Sequence, residues 1–362
     1  MNNQVYDMFA SPAGQLDSEI ATTIIRTHLE GILTSTNRKL SHKQQWFSEI
    51  SKPWVLQNHD LSYLWHPAFS QLECDLKNLG EITNEHLVAA ALAMHESSPL
   101  NPWVLETIQN YHYRFQQYCL PCGSKISWHT NDTRSHQLYC DDTPYTPTSI
   151  LDTVTLKHKV IFDTRLNKNT EKLPYAVSNS GWNTQLWQEA FSLLTESAPH
   201  YAHWSSQLLR TIVPIDAPKG HQISASHWHR RGEILMSWRI KPHQVAEMMV
   251  HEASHQHFFM AGMLSPYDDG SDKTLYYSPV VNAKRPITKI LLAYHAFANV
   301  ILFFRHCHNY LETKEQHWLD KETNKVLAEL DQLEQPLRQS KSLTELGQRL
   351  WRPLAQQMHE AS

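Results

Sequence analysis

Two histidines four residues apart with a glutamate beside the first, His251-Glu252-Ala253-Ser254-His255, are the residues of this chain best suited to holding a metal ion. In a helix, positions i and i+4 lie one turn apart on the same face, so both imidazoles can reach one ion. Glu252 stands next to that face, within reach of a metal-bound water or cosubstrate. The chain has 24 histidines, so chance pairs are expected and the context has to carry the assignment. That context is helical. Pro242 suits a first helical position, Gly262 suits a C-terminal stop, and no proline or glycine interrupts the motif. Val245, Met248, Met249, Phe258 and Phe259 recur at helical spacing and form a buried stripe.

Two imidazoles hold a metal poorly, so a third protein ligand is expected, and its type decides the chemistry. In a zinc peptidase Glu252 would be the base that deprotonates a zinc-bound water. The metzincin extension needs glycine and histidine where this chain has Phe258 and Ala261, and it fails. A thermolysin-like glutamate is missing as well, since no Glu lies between Glu252 and Glu312. Asp268, Asp269 and Asp272 are the acidic candidates, but they stand in a polar loop where solvated aspartates are common. The better candidate is His295, inside the apolar segment LLAYHAFANV. A lone histidine on an apolar face is ordinarily a core residue bonded to a neighbour; a metal short of one ligand shifts the balance. His243, His257, His306 and His308 read as structural.

The elements that must position these residues follow from periodicity. Helices are expected over 18–33, 41–50, 61–79, 84–96 and Trp103–Tyr118, then a long loop or junction from Cys119 to Pro147. LDTVTLKHKVIF at 151–162, LLRTIVPI at 208–215 and GEILMSWRI at 232–240 read as strands, with a helix over 183–197 between them. The last strand leads into the HExxH helix, and a sheet edge there would let an extended peptide lie across the metal by adding a strand. The turn-rich segment after Gly262 would form an active-site rim. A central helix is expected over 287–311, and outer amphipathic helices over 316–335 and 342–359. The fold class is therefore α+β, mostly helical: a helical N-terminal region at 1–147, then a catalytic region at 148–362 with a small central sheet and a metal site between two core helices.

The order GEILMSW, VHEASHQ, YYSPVVNAKRPITKILLAYHAFANV resembles the HExxH-motif peptide-modification proteins encoded beside ribosomally made peptide natural products (RiPP biosynthesis). The match covers roughly 226–304, with vaguer likeness at FASPAGQLDSEI near the N-terminus. Val280 follows Ser278-Pro279 where the family often has an aromatic residue. The resemblance implies a dioxygenase that uses Fe(II), 2-oxoglutarate and O2 to hydroxylate the β-carbon of a residue in a precursor peptide. Its other partners would be enzymes of the same pathway. Three imidazoles, His251, His255 and His295, would leave three metal positions open for 2-oxoglutarate and dioxygen. The distal carboxylate of 2-oxoglutarate needs a cation, and Arg285, just before Pro286 at a helix start, is well placed, with Lys284 second. Tyr277 and Ser278 offer hydroxyl donors. Glu252 would then orient a ligand or a water rather than act as base. The alternatives are a zinc metallopeptidase using Glu252 and a non-catalytic, metal-stabilised peptide-binding protein.

Composition sets the outer bounds. With 41% hydrophobic and 19% charged residues the chain is an ordinary globular one, and a formal charge of −4 gives no reason to expect nucleic acid as a partner. Met1–Gln15 lacks the order of a signal peptide, and the longest apolar run, Ile290–Phe304, contains His295 and Asn299 and reads as a buried helix rather than a membrane span. Five cysteines form no framework, so a reduced, cytoplasmic setting is expected. Cys119, Cys122 and Cys140 match no common zinc pattern well and read as ordinary thiols.

Overall fold

The computed structural model describes residues 4–14, 17–57, 64–79, 82–97, 184–215, 217, 221–237 and 240–360, together with short strands between 103 and 162. The chain is mostly helical, with small sheets. A single turn, α1 (Gln4–Asp7), precedes α2 (Ser18–Lys39). Asp17 starts α2 by accepting the backbone N–H groups of Glu19 at 2.8 Å and Ile20 at 3.2 Å, donors that a helix leaves without internal partners. Then come α3 (Gln45–Gln57), α4 (Pro67–Cys74) and α5 (Asn84–Ser97). Pro67 takes a first-turn position in α4, and the His66 ring caps it by accepting from Ala68 N at 3.1 Å.

Beyond Ser97 the structure corrects the sequence reading. The helix expected over Trp103–Tyr118 is replaced by strands β1 (Trp103–Leu105), β2 (Tyr113–Phe115) and β3 (Tyr118–Leu120). The expected loop from Cys119 contains β4 (Ile126–Thr130), β5 (His136–Cys140) and β6 (Thr143–Tyr145), which pair antiparallel in the order β1-β4-β5-β6. Among the described residues the last helix before these strands is α5, which ends at Ser97. Runs such as WVL, YRF and ISWHT are aromatic and β-branched, and they are too short for helical periodicity to outweigh ladder pairing. Cys119 and Cys140 fall in different sheets; Cys122 lies outside the described residues.

The small central sheet has the order β7-β8-β10-β9, built from Ile161–Phe162, Thr211–Ile215, Ser224–Ser226 (β9) and Glu233–Ser237 (β10). Residues 151–160 of the expected first strand lie outside the described residues. β10 runs parallel to β8 and antiparallel to β9, and all five of its residues are buried. That burial on both faces fits its continuous apolar reading, EILMS. Helices α6 (Thr184–Ser197) and α7 (Pro199–Leu208) lie between β7 and β8, and α7 is an element that the sequence reading lacks.

From β10 the chain enters α8 (Pro242–Ala261), the HExxH helix, whose Val245, Met248, Met249, Phe258 and Phe259 are all buried as expected. The hairpin β11 (Tyr276–Ser278) and β12 (Ala283–Arg285) leads into α9 (Ile287–Cys307), and α10 (Thr313–Gln339) and α11 (Glu345–Glu360) close the fold. The segment Ile287–Tyr310 is long and apolar enough to cross a membrane, but 72% of its most apolar window is buried inside the protein. It serves here as the core helix on which α8, α10 and α11 pack.

Two polar side chains interrupt that helix. Asn299 donates to the Ala10 carbonyl at 2.9 Å and accepts from the Tyr201 hydroxyl at 2.9 Å. His295 Nε2 donates to the Phe9 carbonyl at 2.8 Å. The segment around Phe9, itself fully buried, is thereby stitched onto α9.

Candidate metal centre

His251 and His255 sit one turn apart on α8, with ring centroids 4.7 Å apart and planes perpendicular. Together with Glu252 they form a group whose ligand atoms all lie within 4.8 Å of one another. The two rings are half-buried and Glu252 is buried. Burial pushes the His251 imidazole down to about 4, and it pushes His255 well below the usual value, aided by the neighbouring His251, His295 and Lys289. Both rings are neutral at physiological pH, with lone pairs free for a metal. His255 Nδ1 is buried with no hydrogen-bond partner among the described residues.

Aromatic side chains frame the pair. Phe297 of α9 meets His251 edge-on at 4.9 Å, Phe259 stacks on His255 at 6.4 Å, and Trp228 packs edge-on against Phe259 at 5.6 Å. The glutamate is held from the sheet side. Burial raises the Glu252 carboxyl to about 7, against the pull of hydroxyls from Ser224 and Ser226 on β9, and its Oε2 has no partner among the described residues. One turn earlier Glu247, raised to about 8 by burial and by the nearby Glu322 and Glu252, accepts from Gln222.

Gln256, the residue after the motif, ties three segments to the centre. Its Oε1 accepts from Gly232 N at 2.7 Å and Trp65 Nε1 at 3.2 Å, and its Nε2 donates to Ser226 Oγ at 3.2 Å. Only glycine fits at 232: φ is +80°, and an added Cβ would lie 2.9 Å from the Trp65 carbonyl oxygen. Gln256→Leu leaves two buried N–H donors unpaired and is expected to destabilise the fold by about 2–4 kcal/mol, measured by denaturant unfolding.

The structure does not bring every expected site residue together. His295 is fully buried, but it is outside the group formed by His251, Glu252 and His255. Its ring centroid lies 5.7 Å from that of Phe258 and 6.4 Å from that of Trp204, burial pushes it down to about 4, and its Nδ1 has no partner among the described residues. His257, expected to be structural, stacks on Trp204 at 3.9 Å and bonds the Trp204 carbonyl through Nε2 at 3.0 Å. Arg285 and Lys284 are exposed on β12, in register with Tyr276 and Tyr277. Tyr277 is 50% exposed and donates to Asn282 Oδ1 at 2.9 Å, while Ser278 is buried.

The three aspartates weighed as zinc ligands are occupied in their own loop. Asp268 accepts from Gly270 N and the Thr288 hydroxyl, Asp269 from Ser271 N, and Asp272 from Thr274 N and the Tyr276 hydroxyl. Sequence reasoning missed Ser224, Ser226, Phe297 and Lys289. The alternation S-A-S before a buried strand is the signal that could have found the serines. Lys289 is four residues past Arg285, one turn into α9. No protein-family model and no curated protein matches the chain.

Proposed function

We propose that this protein is an iron(II)- and 2-oxoglutarate-dependent hydroxylase acting on the β-carbon of a peptide residue. The observation that carries the reading is the set of neutral imidazoles at the seam of α8 and α9, His251 and His255 half-buried and His295 fully buried. His251 and His255 would hold the metal from α8. His295 would supply the third nitrogen: the Nε2–H bond to the Phe9 carbonyl fixes its tautomer and leaves Nδ1 as a bare, buried lone pair. A backbone carbonyl on the far nitrogen is the usual way a metal-binding imidazole is oriented. Asp268, Asp269 and Asp272 are engaged elsewhere, and with Glu252 kept as an outer residue rather than a ligand an anionic cosubstrate would balance the metal charge.

Bound iron, with 2-oxoglutarate and dioxygen as cosubstrates, would supply the oxidant that converts C–H to C–OH, one oxygen atom going to the hydroxyl and the other to succinate, with carbon dioxide released. The chain's own residues bind, orient and exclude water. Phe297, Phe259 and Trp228 give the histidine pair an apolar surround. Ser224 and Ser226 hold Glu252 in place, and their strand β9 is the outer member of its sheet, so an extended peptide can align along it by strand addition. Arg285 and Lys289, at the start of α9, are the cations available to the cosubstrate's distal carboxylate.

A second reading has its own support. Glu252 belongs to the same close group as the histidines, and its carboxyl, raised to about 7, suits a general base in a zinc peptidase. Anaerobic reconstitution with iron and 2-oxoglutarate, followed by oxygen and mass analysis of candidate peptides, separates the two. A product heavier by one oxygen with stoichiometric succinate is expected; a product split by one water would establish hydrolysis instead, and no product with any metal would leave a peptide-binding protein. Glu252→Gln is expected to slow hydroxylation by about 10–100-fold as an outer hydrogen-bonding partner does, without changing the product. Loss of all turnover in that variant with iron still bound would favour the base role.

A further inference from the structure

We infer that His200 and His306 form a second metal site, a two-imidazole seat for a borderline divalent cation, Zn(II) or Cu(II). It lies outside the HExxH centre and does not depend on the chemistry proposed there. The two rings come from different helices, His200 from the first turn of α7 and His306 from the last turn of α9. Their centroids lie 4.6 Å apart with planes at 76°. That is close to the geometry of His251 and His255, whose centroids lie 4.7 Å apart with planes at 90°. Both His200 and His306 are exposed, so an ion can reach them and water can complete its shell.

The packing beneath holds the two rings together. Asn299, Phe303 and His306 follow one stripe of α9 at helical spacing. Tyr201 donates its hydroxyl to Asn299 at 2.9 Å and meets the Phe303 ring at 6.3 Å, so His200, the residue before it, is delivered against His306. Pro199 opens α7 and fixes the backbone of that turn. Neither imidazole makes a hydrogen bond among the described residues, whereas neighbouring histidines are committed, His203 to Gln207 at 3.2 Å and His308 to Asp320 at 3.2 Å. Arg305, next in sequence to His306, is engaged with the Gln357 carbonyl at 3.0 Å. Burial and the nearby His306 hold the His200 ring below its usual value, which keeps its lone pair available near neutrality.

The donor set selects the ion. No other His, Cys, Asp or Glu among the described residues completes a group of three here, and two neutral nitrogens favour Cu(II) and Zn(II) over Fe(II). His306 lies nine residues beyond Phe297, the α9 residue against His251, or about 14 Å along the helix, so one ion cannot serve both places. An ion at His200 and His306 pins α7 to α9. Helix α7 also carries Trp204, whose ring stacks on His257 at 3.9 Å, so occupancy stiffens the packing behind the HExxH helix.

The test is a zinc titration of the full-length protein against a chromophoric chelator, with electron paramagnetic resonance of added Cu(II) as a second readout. His200→Ala and His306→Ala are each expected to weaken one zinc site by about tenfold or more and to reduce the nitrogen couplings of bound Cu(II). His317→Ala, at another exposed histidine, should leave both readouts unchanged. The same variants in His255→Ala protein isolate this site from the HExxH centre. There zinc should still raise the melting temperature, and the rise should vanish when His306→Ala is added. Unchanged zinc affinity in both His200→Ala and His306→Ala would overturn the proposal. So would an equal loss in His317→Ala, which would show scattered surface histidines binding an adventitious ion only. Zinc held at His200 and His306 with none at His251 and His255 would keep this site and remove the proposed centre.

Discussion

Replacing His255 by alanine is expected to eliminate measurable iron binding and turnover. The loss of affinity should exceed the about 10–100-fold that removal of an outer hydrogen-bonding partner costs, because a ligand itself is gone. The remaining His251 would hold the metal alone on α8, and no described carboxylate other than Glu252 lies in the group to take over. Competition titration with a chromophoric chelator, combined with metal content after dialysis, measures this directly. The same assay on His295→Ala decides what that residue does. As third ligand its removal should weaken iron binding as severely as removal of His255. As a core histidine that merely bonds the Phe9 carbonyl, it would leave metal affinity intact and cost only stability, about 1–3 kcal/mol for the unpaired carbonyl.

Arg231→Met should produce the largest loss of stability outside the centre, about 3–5 kcal/mol in denaturant unfolding. Arg231 is buried, and its guanidinium meets Glu73 at 2.7 Å while lying over the rings of Trp65 and Trp228 at 5.6 and 5.1 Å. Without it Glu73, itself buried, keeps among the described residues only His28 at 3.0 Å and Lys77 at 2.5 Å. Combining Arg231→Met with Glu73→Leu should recover much of the loss, because apolar residues can replace a buried ion pair. A double variant no more stable than the single one would show that the arginine acts through its aromatic contacts instead.

The pair also fixes the sign of a pH effect. Burial opposes ionisation of Glu73, yet His28, Arg231 and Lys77 hold its carboxyl well below the usual range. Its contribution is therefore complete above the unfolded carboxylate value and disappears as pH falls toward the folded one. Buried imidazoles act in the same direction. His257, pushed down to about 3, and His295, to about 4, stay neutral when folded and take up protons when unfolded. Each should cost about 1.4 kcal/mol per pH unit below its unfolded value of about 6.5. The carboxyls of Glu247 and Glu252, raised by burial to about 8 and about 7, act in the opposite direction and add stability as pH falls. The depressed imidazoles of His66, His251, His255, His257 and His295 outnumber them, so metal-free protein is expected to lose stability below about pH 6.5, read as a falling denaturant midpoint.

What the sequence disclosed divides along local and distant causes. The HExxH helix was readable because Pro242, Gly262 and its apolar stripe are all local signals, and β10 because EILMS is continuously apolar. The strands between 103 and 145 were not, since a run such as WVL becomes a strand only when residues more than 20 positions away, Ile126 to Trp128, pair with it. Ser224 and Ser226 reach Glu252 because the ladder sets Ser226 opposite Ile234 and Ser224 opposite Met236, a register no spacing rule gives. For His295 the apolar run located the ring in the core, but the atom its Nε2 meets lies 286 residues earlier.

That last separation has a consequence for synthesis in the cell. At about 5–20 residues per second a ribosome needs roughly 15–60 s to go from Phe9 to His295 and Asn299. During that interval the Phe9 and Ala10 carbonyls lack the donors of His295 and Asn299 and accept from water instead, and the Phe9 side chain lacks the cover of α9. The early helices must therefore emerge with an open flank, which a chaperone can occupy until α9 arrives to cover it.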